Sequence, residues 1–168
     1  MTEPVIRRVG KEEIERRLRA GLMVGTGAWG ALVAQRSKAR APVKSGRLAR
    51  SIHVGNVVQA GDIAYRIDVG TDVEYARAVE EGSGLFSIHP EFRRLILIEP
   101  RYRRALAFAW PGAPSGAPGF SKKTGKYVFK RVWHPGVKPR PFLRPAARES
   151  RPEGHVLVIS AIRAELVR

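Results

Sequence analysis

The sequence is organised around one proline-rich stretch, RVWHPGVKPRPFLRPA, at residues 131–146. Its four prolines fix their own φ angles and favour extended geometry in the residues before them. Gly136 supplies a freely turning position among them. Because little backbone entropy remains to be lost on docking, the pattern predicts a stiff arm over about residues 134–141, followed by Phe142 and Leu143 as an apolar anchor. A plain proline-rich loop between two elements is the alternative interpretation.

Composition narrows the class of protein. With 168 residues, of which 43% are hydrophobic and 27% charged, we expect one domain spanning residues 1–168 with its own core. Cysteine is absent, which excludes thiol catalysis, disulfides and cysteine-ligated metal. The histidines lack metal-ligand spacing, so we expect neither a metal nor another cofactor. They are His53, His89, His134 and His155.

The net charge of +16 indicates an anionic partner: nucleic acid, a membrane surface or an acidic protein face. Residues 122–151 carry ten Lys/Arg against one acid, whereas residues 62–81 carry six acids against two arginines. A chain with an acidic segment and basic ends can pair with copies of itself in a ring. A solvated basic surface is the other interpretation of the same charge runs.

An uncharged run at residues 20–35 raises the question of a membrane. It is shorter than the ~20 residues that span a bilayer, and four glycines dilute its hydrophobicity, so a buried helix is the prediction. The first residues of the sequence lack the apolar centre of a signal peptide. We therefore expect no membrane partner.

The N-terminal half is predicted to hold a long helix and a hairpin. Apolar residues recur every three or four positions over Lys11–Arg40, and Pro42 closes this helix. Its interior glycines indicate close approach of another backbone, or a kink near residues 25–27. Two strand patterns, 52–59 and 63–69, flank a turn and predict an antiparallel hairpin with one wet face. A short helix over 73–81 follows, with Tyr75, Ala76 and Val79 expected inward.

The C-terminal half is predicted to add strands and a closing helix. Apolar runs at 94–98 and 105–110 have strand length, and residues 126–133 alternate. Between them, about residues 111–125 form a long Gly/Pro/Ser/Lys loop. Residues 142–149 should be helical, and 155–166 continue either as a helix or as a strand with a helical tail. The fold class is α+β: a long N-terminal helix packed on a mainly antiparallel sheet, with a short middle helix and a C-terminal helix.

We find no catalytic constellation and predict that the protein is not an enzyme. Glu80 and Glu81 are sequence neighbours, so on a helix they diverge by roughly 100° and make a poor acid–base pair. Residues 112–116 resemble a nucleophile elbow only in outline, since no helix pattern follows. Residues 121–126 have the wrong glycine spacing for a phosphate loop. For His134, the role of a turn histidine that holds its loop by a hydrogen bond is favoured over the role of a general base.

Three stretches together resemble the tail-completion (neck, or minor tail) protein family of long-tailed bacteriophages. They are APVKSGRLARSI at 41–52, VGTDVEYARAVEEGS at 69–83 and HPGVKPRPFLRPA at 134–146. Each is weak alone. In this order, after a long amphipathic helix, they are specific and cover roughly residues 10–150.

The resemblance implies a structural virion component at the head–tail junction, assembled in the host cytoplasm. The implied assembly is a ring, expected to hold six copies, on the axis through which DNA leaves the head. Its implied partners are further copies of itself, the neighbouring head-closure protein and the tail-terminator or tail-tube protein, with transient contact to phage DNA.

The resemblance also suggests roles for particular residues. Tyr75 and Val79 would be core. The expected subunit interface comprises Glu80, Glu81, His134, Pro139, Arg140, Pro141, Phe142 and Arg144. The candidates for contact with the lumen or with DNA are Lys122, Lys123 and Lys126. Such DNA contacts would be weak, because a tight grip would stall ejection of the genome.

A stand-alone basic nucleic-acid-binding protein is the alternative function. It predicts tight, steeply salt-dependent DNA binding by the monomer. The assembly hypothesis predicts weak DNA binding and interfaces above ~1,000 Å². A third hypothesis, a membrane-active lysis protein, rests only on residues 20–35.

Overall fold

A computed structural model describes residues 10–113 and 117–168. The sequence start, and residues 114–116 of the segment compared with a nucleophile elbow, lie outside the described residues. The described chain contains two compact units. The first comprises residues up to 76 together with 140–168, and the second comprises residues 77–139.

The structure is α+β, as predicted. Its helices are α1 (Lys11–Arg40), α2 (Arg47–Ser51), α3 (Ala76–Glu81), α4 (Leu143–Glu149) and α5 (Arg151–Val167). Its strands are β1 (His53–Val54), β2 (Val58–Gln59), β3 (Tyr65–Arg66), β4 (Val69–Gly70), β5 (Ile96–Ile98), β6 (Leu106–Phe108), β7 (Phe120–Ser121), β8 (Lys126–Phe129) and β9 (Val132–His134). All strand pairs in the described chain are antiparallel, but they form four small sheets where the sequence pattern suggested one larger sheet.

The long helix α1 has the predicted bounds. Acidic residues in its first turn and basic residues in its last turn match the helix dipole. In the first turn, the Arg17 side chain donates a hydrogen bond to the Glu13 carboxylate at 2.6 Å, which lowers the pKa of Glu13. At the other end, the Ala41 N–H bonds to the Ser37 carbonyl before Pro42 stops the helix.

Helix α5 packs antiparallel on α1 through the interior glycines. A Cβ on Gly21 would lie 2.6 Å from the Cα of Ile162, and one on Gly25 would lie 2.5 Å from the Cα of Val158. One helical turn further along α1, the large residue is on α1 and the glycine is on α5, because Trp29 packs against Gly154. The predicted close approach of another backbone is therefore confirmed, and α1 runs without a break through residues 25–27.

The predicted hairpin packs against α1. Strand β2 pairs with β3 next to the turn, and β1 pairs with β4 at the open end. The ladder is interrupted between them, although the Gly55 N–H still bonds to the Asp68 carbonyl at 2.8 Å. Ile67, between β3 and β4, and Val54 of β1 lie close to Gly30 of α1, where an added Cβ would meet the Ile67 Cδ1 atom at 2.6 Å and require that side chain to shift.

The proline stretch runs into the core of the first unit. Phe142 is 0% exposed, and α4 begins immediately after it, as predicted. Ser150 separates α4 from α5 with Pro152 in the first turn of α5, and residues 155–166 are helical throughout. The choice between helix and strand that the sequence left open is thus resolved for helix.

Some local predictions need correction. Tyr75 was expected inward but is 43% exposed, whereas Val73 and Ala76 are buried. Residues 47–51, just before the first strand pattern, form a further short helix, α2. The alternating run 126–133 is two strands, β8 and β9, which pair with different partners. The loop predicted over 111–125 contains strand β7.

Candidate functional site

The start of the proline arm is held by a turn at His134. The Nδ1 atom of His134 accepts a hydrogen bond from the Gly136 N–H at 2.9 Å. Gly136 is buried with a φ of 99°, which an L side chain rarely adopts, and a Cβ there would collide with Ser83. His134 thus acts as the turn histidine that the sequence favoured over a general base.

Residues 135–138 of the arm dock on the segment that follows α3. The Ser83 N–H bonds to the Val137 carbonyl at 2.9 Å, and the Leu85 N–H bonds to the Pro135 carbonyl at 2.7 Å. The Ser83 hydroxyl in turn accepts a bond from the Val137 N–H at 3.1 Å. Residues 135–137 are therefore anchored by hydrogen bonds within the second unit. Phe142, which follows the arm in the chain, is buried in the first unit.

Between these anchors the arm is open to solvent. Pro139, Arg140 and Pro141 are exposed, and so is Arg144 in the first turns of α4. Phe142 is buried within its own chain, so its ring anchors the arm and its surface is not available to a neighbouring molecule. The prolines limit the conformations of this exposed segment, so it has little backbone entropy to lose on binding a partner.

The paired glutamates of α3 directly precede the segment 83–85 to which the arm bonds, and they are largely enclosed. Glu80 is 8% exposed. The Glu81 carboxylate accepts a hydrogen bond from the Arg77 guanidinium at 2.8 Å and lies 3.3 Å from His89 Nε2. Both carboxylates therefore have interactions within their own chain.

A second candidate surface, on a different sheet, was not predicted from sequence. Strands β6, β8 and β7 align Phe108, Tyr127 and Phe120 in one row, because Tyr127 lies opposite both of the others. Directly opposed residues in antiparallel strands point to the same face. Trp110 and Phe129 extend this row, with their ring centroids 5.4 Å and 6.5 Å from that of Tyr127. We call these five side chains the aromatic face.

Cations surround the aromatic face. Lys122 and Lys123 occupy the tight turn between β7 and β8, which closes through bonds from the Thr124 and Gly125 N–H groups to the Ser121 carbonyl. Lys126 follows at the start of β8 and is also exposed. A shallow cleft of about 340 Å³ adjoins β6 and is lined by Arg101, Tyr102, Arg103 and their neighbours up to Ala107. Lys126 precedes Tyr127 in β8 and so points to the opposite face of the sheet. We call Lys122, Lys123, Arg101 and Arg103 the basic rim of the aromatic face.

Two kinds of site are missing from residues 10–113 and 117–168. No group of His, Asp and Glu side chains there has the arrangement that holds a metal ion. Over the same residues, no helix has both the length and the apolar character that crossing a membrane requires.

The first half of the chain matches a known family of phage proteins. Residues 7–82 fit the family model HK97-gp10_like, whose description reads "Bacteriophage HK97-gp10, putative tail-component". The match covers α1, the hairpin and α3, and so includes two of the three motifs that suggested a phage tail protein. The resemblance to a phage tail component is thereby confirmed over just under half of the chain. No curated protein and no solved structure was found to match it.

The aromatic face escaped sequence analysis for a physical reason. Phe108 and Trp110, and Tyr127 and Phe129, are each spaced by two, which is the signal of one strand face. Phe120 lies in the stretch that the sequence predicts to be a loop, so strand β7 was not predicted. Only the pairing of β7 with β8 brings all five rings together.

Proposed function

We propose that this protein is a structural component of a phage virion, located at the head–tail junction as a subunit of a homo-oligomeric ring through which DNA passes. It would complete the tail and contact the head-closure protein on one side and the tail-terminator or tail-tube protein on the other. The observation that carries the proposal is the match of residues 7–82 to a phage tail-component family.

The architecture supports a role in assembly. The arm is stiffened by its prolines and is exposed at residues 139–141, which suits docking on a neighbouring subunit at low entropic cost. The interface we propose comprises the exposed Pro139, Arg140, Pro141 and Arg144, next to the turn at His134. Glu80 and Glu81 would contribute to the interface mainly by positioning α3, because both are engaged within their own chain.

Charge supports pairing between unlike surfaces. Asp62, Asp68, Asp72 and Glu74 are exposed in an acidic segment of the first unit, although that unit as a whole is basic. The second unit carries twelve Lys/Arg against four Asp/Glu. Surfaces of opposite sign on one chain give a head-to-tail contact, and such contacts close into rings when the rotation allows.

The experiment is multi-angle light scattering with negative-stain imaging of the purified chain. Discrete rings, reduced to monomers by the double substitution Arg140→Glu/Arg144→Glu, support the proposal. Lys38→Glu/Lys44→Glu is the matched control, because it makes the same charge change at exposed positions outside the arm. A monomer that binds duplex DNA tightly at physiological salt would favour the alternative, a stand-alone nucleic-acid-binding protein.

A further inference from the structure

We propose that the aromatic face and its basic rim form a binding surface for single-stranded DNA. The bases would stack on Trp110 and Phe120, and the phosphates would contact Lys122, Lys123 and the arginines of the cleft beside β6. This inference deepens the proposed function, because it names the state of DNA that the protein recognises where the genome passes the junction.

Exposure of the rings is the first argument. Trp110 is 43% exposed and Phe120 is 52% exposed, although aromatic side chains of this size are normally covered. Phe120 and Trp110 both pack against the Tyr127 ring, and their ring centroids lie 5.3 Å and 5.4 Å from its centroid. The two exposed rings are thus held in position by a third, as a stacking platform requires.

The shape of the sheet is the second argument. Gly119 has a φ of +86°, and a Cβ there would lie 2.9 Å from the Phe129 ring. The chain therefore uses a glycine beside β7, where no side chain can cover the neighbouring ring. With Leu106 opposite Phe129, one face of the sheet carries a row of apolar side chains, of which Trp110 and Phe120 are exposed and the others half-buried.

The positive charge near the aromatic face indicates which kind of molecule binds there. Residues 93–138 carry eleven Lys/Arg, all of them exposed, against the single acid Glu99. A second copy docked face to face would bring the same cations together, and like charges in an interface are repulsive. A polyanion with planar apolar groups matches both the rim and the rings, and single-stranded DNA has that chemistry. Duplex DNA has the phosphates but keeps its base faces stacked inside the helix.

This selectivity fits a channel that duplex DNA must pass. Phosphate contacts alone would be weak and screened by salt, so passing duplex would not be held. Unpaired bases, which occur at the ends of a linear genome or where it opens, would add stacking and be retained.

The experiment measures fluorescence anisotropy of a labelled 12-nucleotide single strand and of the matching duplex, over a range of salt concentrations. We expect the single strand to bind at least tenfold more tightly than the duplex. Trp110→Ala/Phe120→Ala should weaken single-strand binding about tenfold or more, given the contribution of stacking per base. Tyr75→Ala, a ring equally exposed on the first unit, is the control and should change nothing.

The salt dependence of binding distinguishes the contribution of the basic rim from that of the aromatic side chains. Lys122→Gln/Lys123→Gln should lower the slope of log Kd against log salt by about 1 to 1.5, as expected for two single-strand phosphates. Lys38→Gln/Lys44→Gln removes the same charge elsewhere and should leave the slope unchanged. Trp110→Phe should retain binding but lose part of the tryptophan quenching caused by the strand, which tests stacking without removing the ring.

Equal affinity for single strand and duplex, or unchanged binding by Trp110→Ala/Phe120→Ala, would overturn the inference. If these substitutions instead dissociate the oligomeric ring of subunits and leave oligonucleotide binding intact, the aromatic face is a protein interface and the inference is wrong. Light scattering of the wild-type chain reports on ring formation separately, so failure of the proposed function and failure of this inference are distinguishable.

Discussion

At the scale of single residues, the packing of α1 against α5 is a set of complementary sizes. Gly21 and Gly25 leave room for the backbone of α5, and Gly154 leaves room for Trp29. The Trp29 indole also donates a hydrogen bond to the Ser150 hydroxyl at 3.2 Å, at the junction of α4 and α5. These contacts align the two helices by shape and explain why a long helix tolerates interior glycines, which otherwise cost about 1 kcal/mol each.

We predict opposite effects for two glycines of α1. Gly25→Ala should lower the free energy of unfolding by about 1–3 kcal/mol, because the new methyl group meets the Val158 backbone. Gly27→Ala should raise it by about 0.5–1 kcal/mol, because a Cβ there meets only the Val57 side chain, at an ordinary 3.6 Å. Urea unfolding followed by circular dichroism measures both. Equal effects of the two substitutions would contradict the packing described.

Phe142 is predicted to be the anchor that matters most for the arm. Phe142→Ala should cost about 3–5 kcal/mol, because it removes a fully buried ring. Val137→Ala, at a half-exposed position of the same arm, should cost less than about 1 kcal/mol. Thermal unfolding by calorimetry checks the difference. A small loss for Phe142→Ala would mean that the arm is not secured at this end.

At the scale of elements, the arm is fixed by a segment far away in sequence. Gly136 approaches Ser83 so closely that only glycine fits, and the hydrogen bonds on either side hold residues 135–137 against 83–85. Proline stiffness and this docking act together: the first limits the conformations of the arm, and the second selects one of them.

Two glycines with positive φ should differ accordingly. Gly125→Ala should cost about 1–2 kcal/mol from backbone strain alone, because no atom lies within 4 Å of a Cβ there. Gly136→Ala should cost clearly more, since it adds a collision with the Ser83 carbonyl to the same strain. Hydrogen exchange of the Leu85 and Val137 amides should rise in Gly136→Ala but not in Gly125→Ala. Unchanged protection in Gly136→Ala would refute the docked arm.

The sequence predicts some of these elements well and others poorly. Helix α1 and the first hairpin were predictable because their signals are local: apolar periodicity, terminal charges and a turn between alternating strands. The partners of β5 and β8 were not, because strand pairing depends on contacts between residues distant in the chain. Tyr75 was misplaced because a six-residue helix has too few turns to define its buried side. The roles of His134 as a turn histidine and of Phe142 as an apolar anchor were predicted correctly, since adjacent prolines restrict what each can do; their place in a subunit interface stays a prediction.

At the scale of the whole molecule, charge and family point to the same setting. A net charge of +16 suits a protein that works beside a polyanion. The match to a phage tail-component family ends at residue 82, so the arm, the aromatic face and α5 lie outside it. The roles proposed for those parts therefore rest on their own contacts and not on the family match.

The location at the head–tail junction is tested most directly by electron microscopy of phage particles assembled with and without this chain. We predict that particles lacking it accumulate as DNA-filled heads and separate tails, and that supplying the chain restores joined virions with added density at the junction. Joined, infectious particles in its absence, or density for the chain elsewhere in the virion, would contradict the proposal.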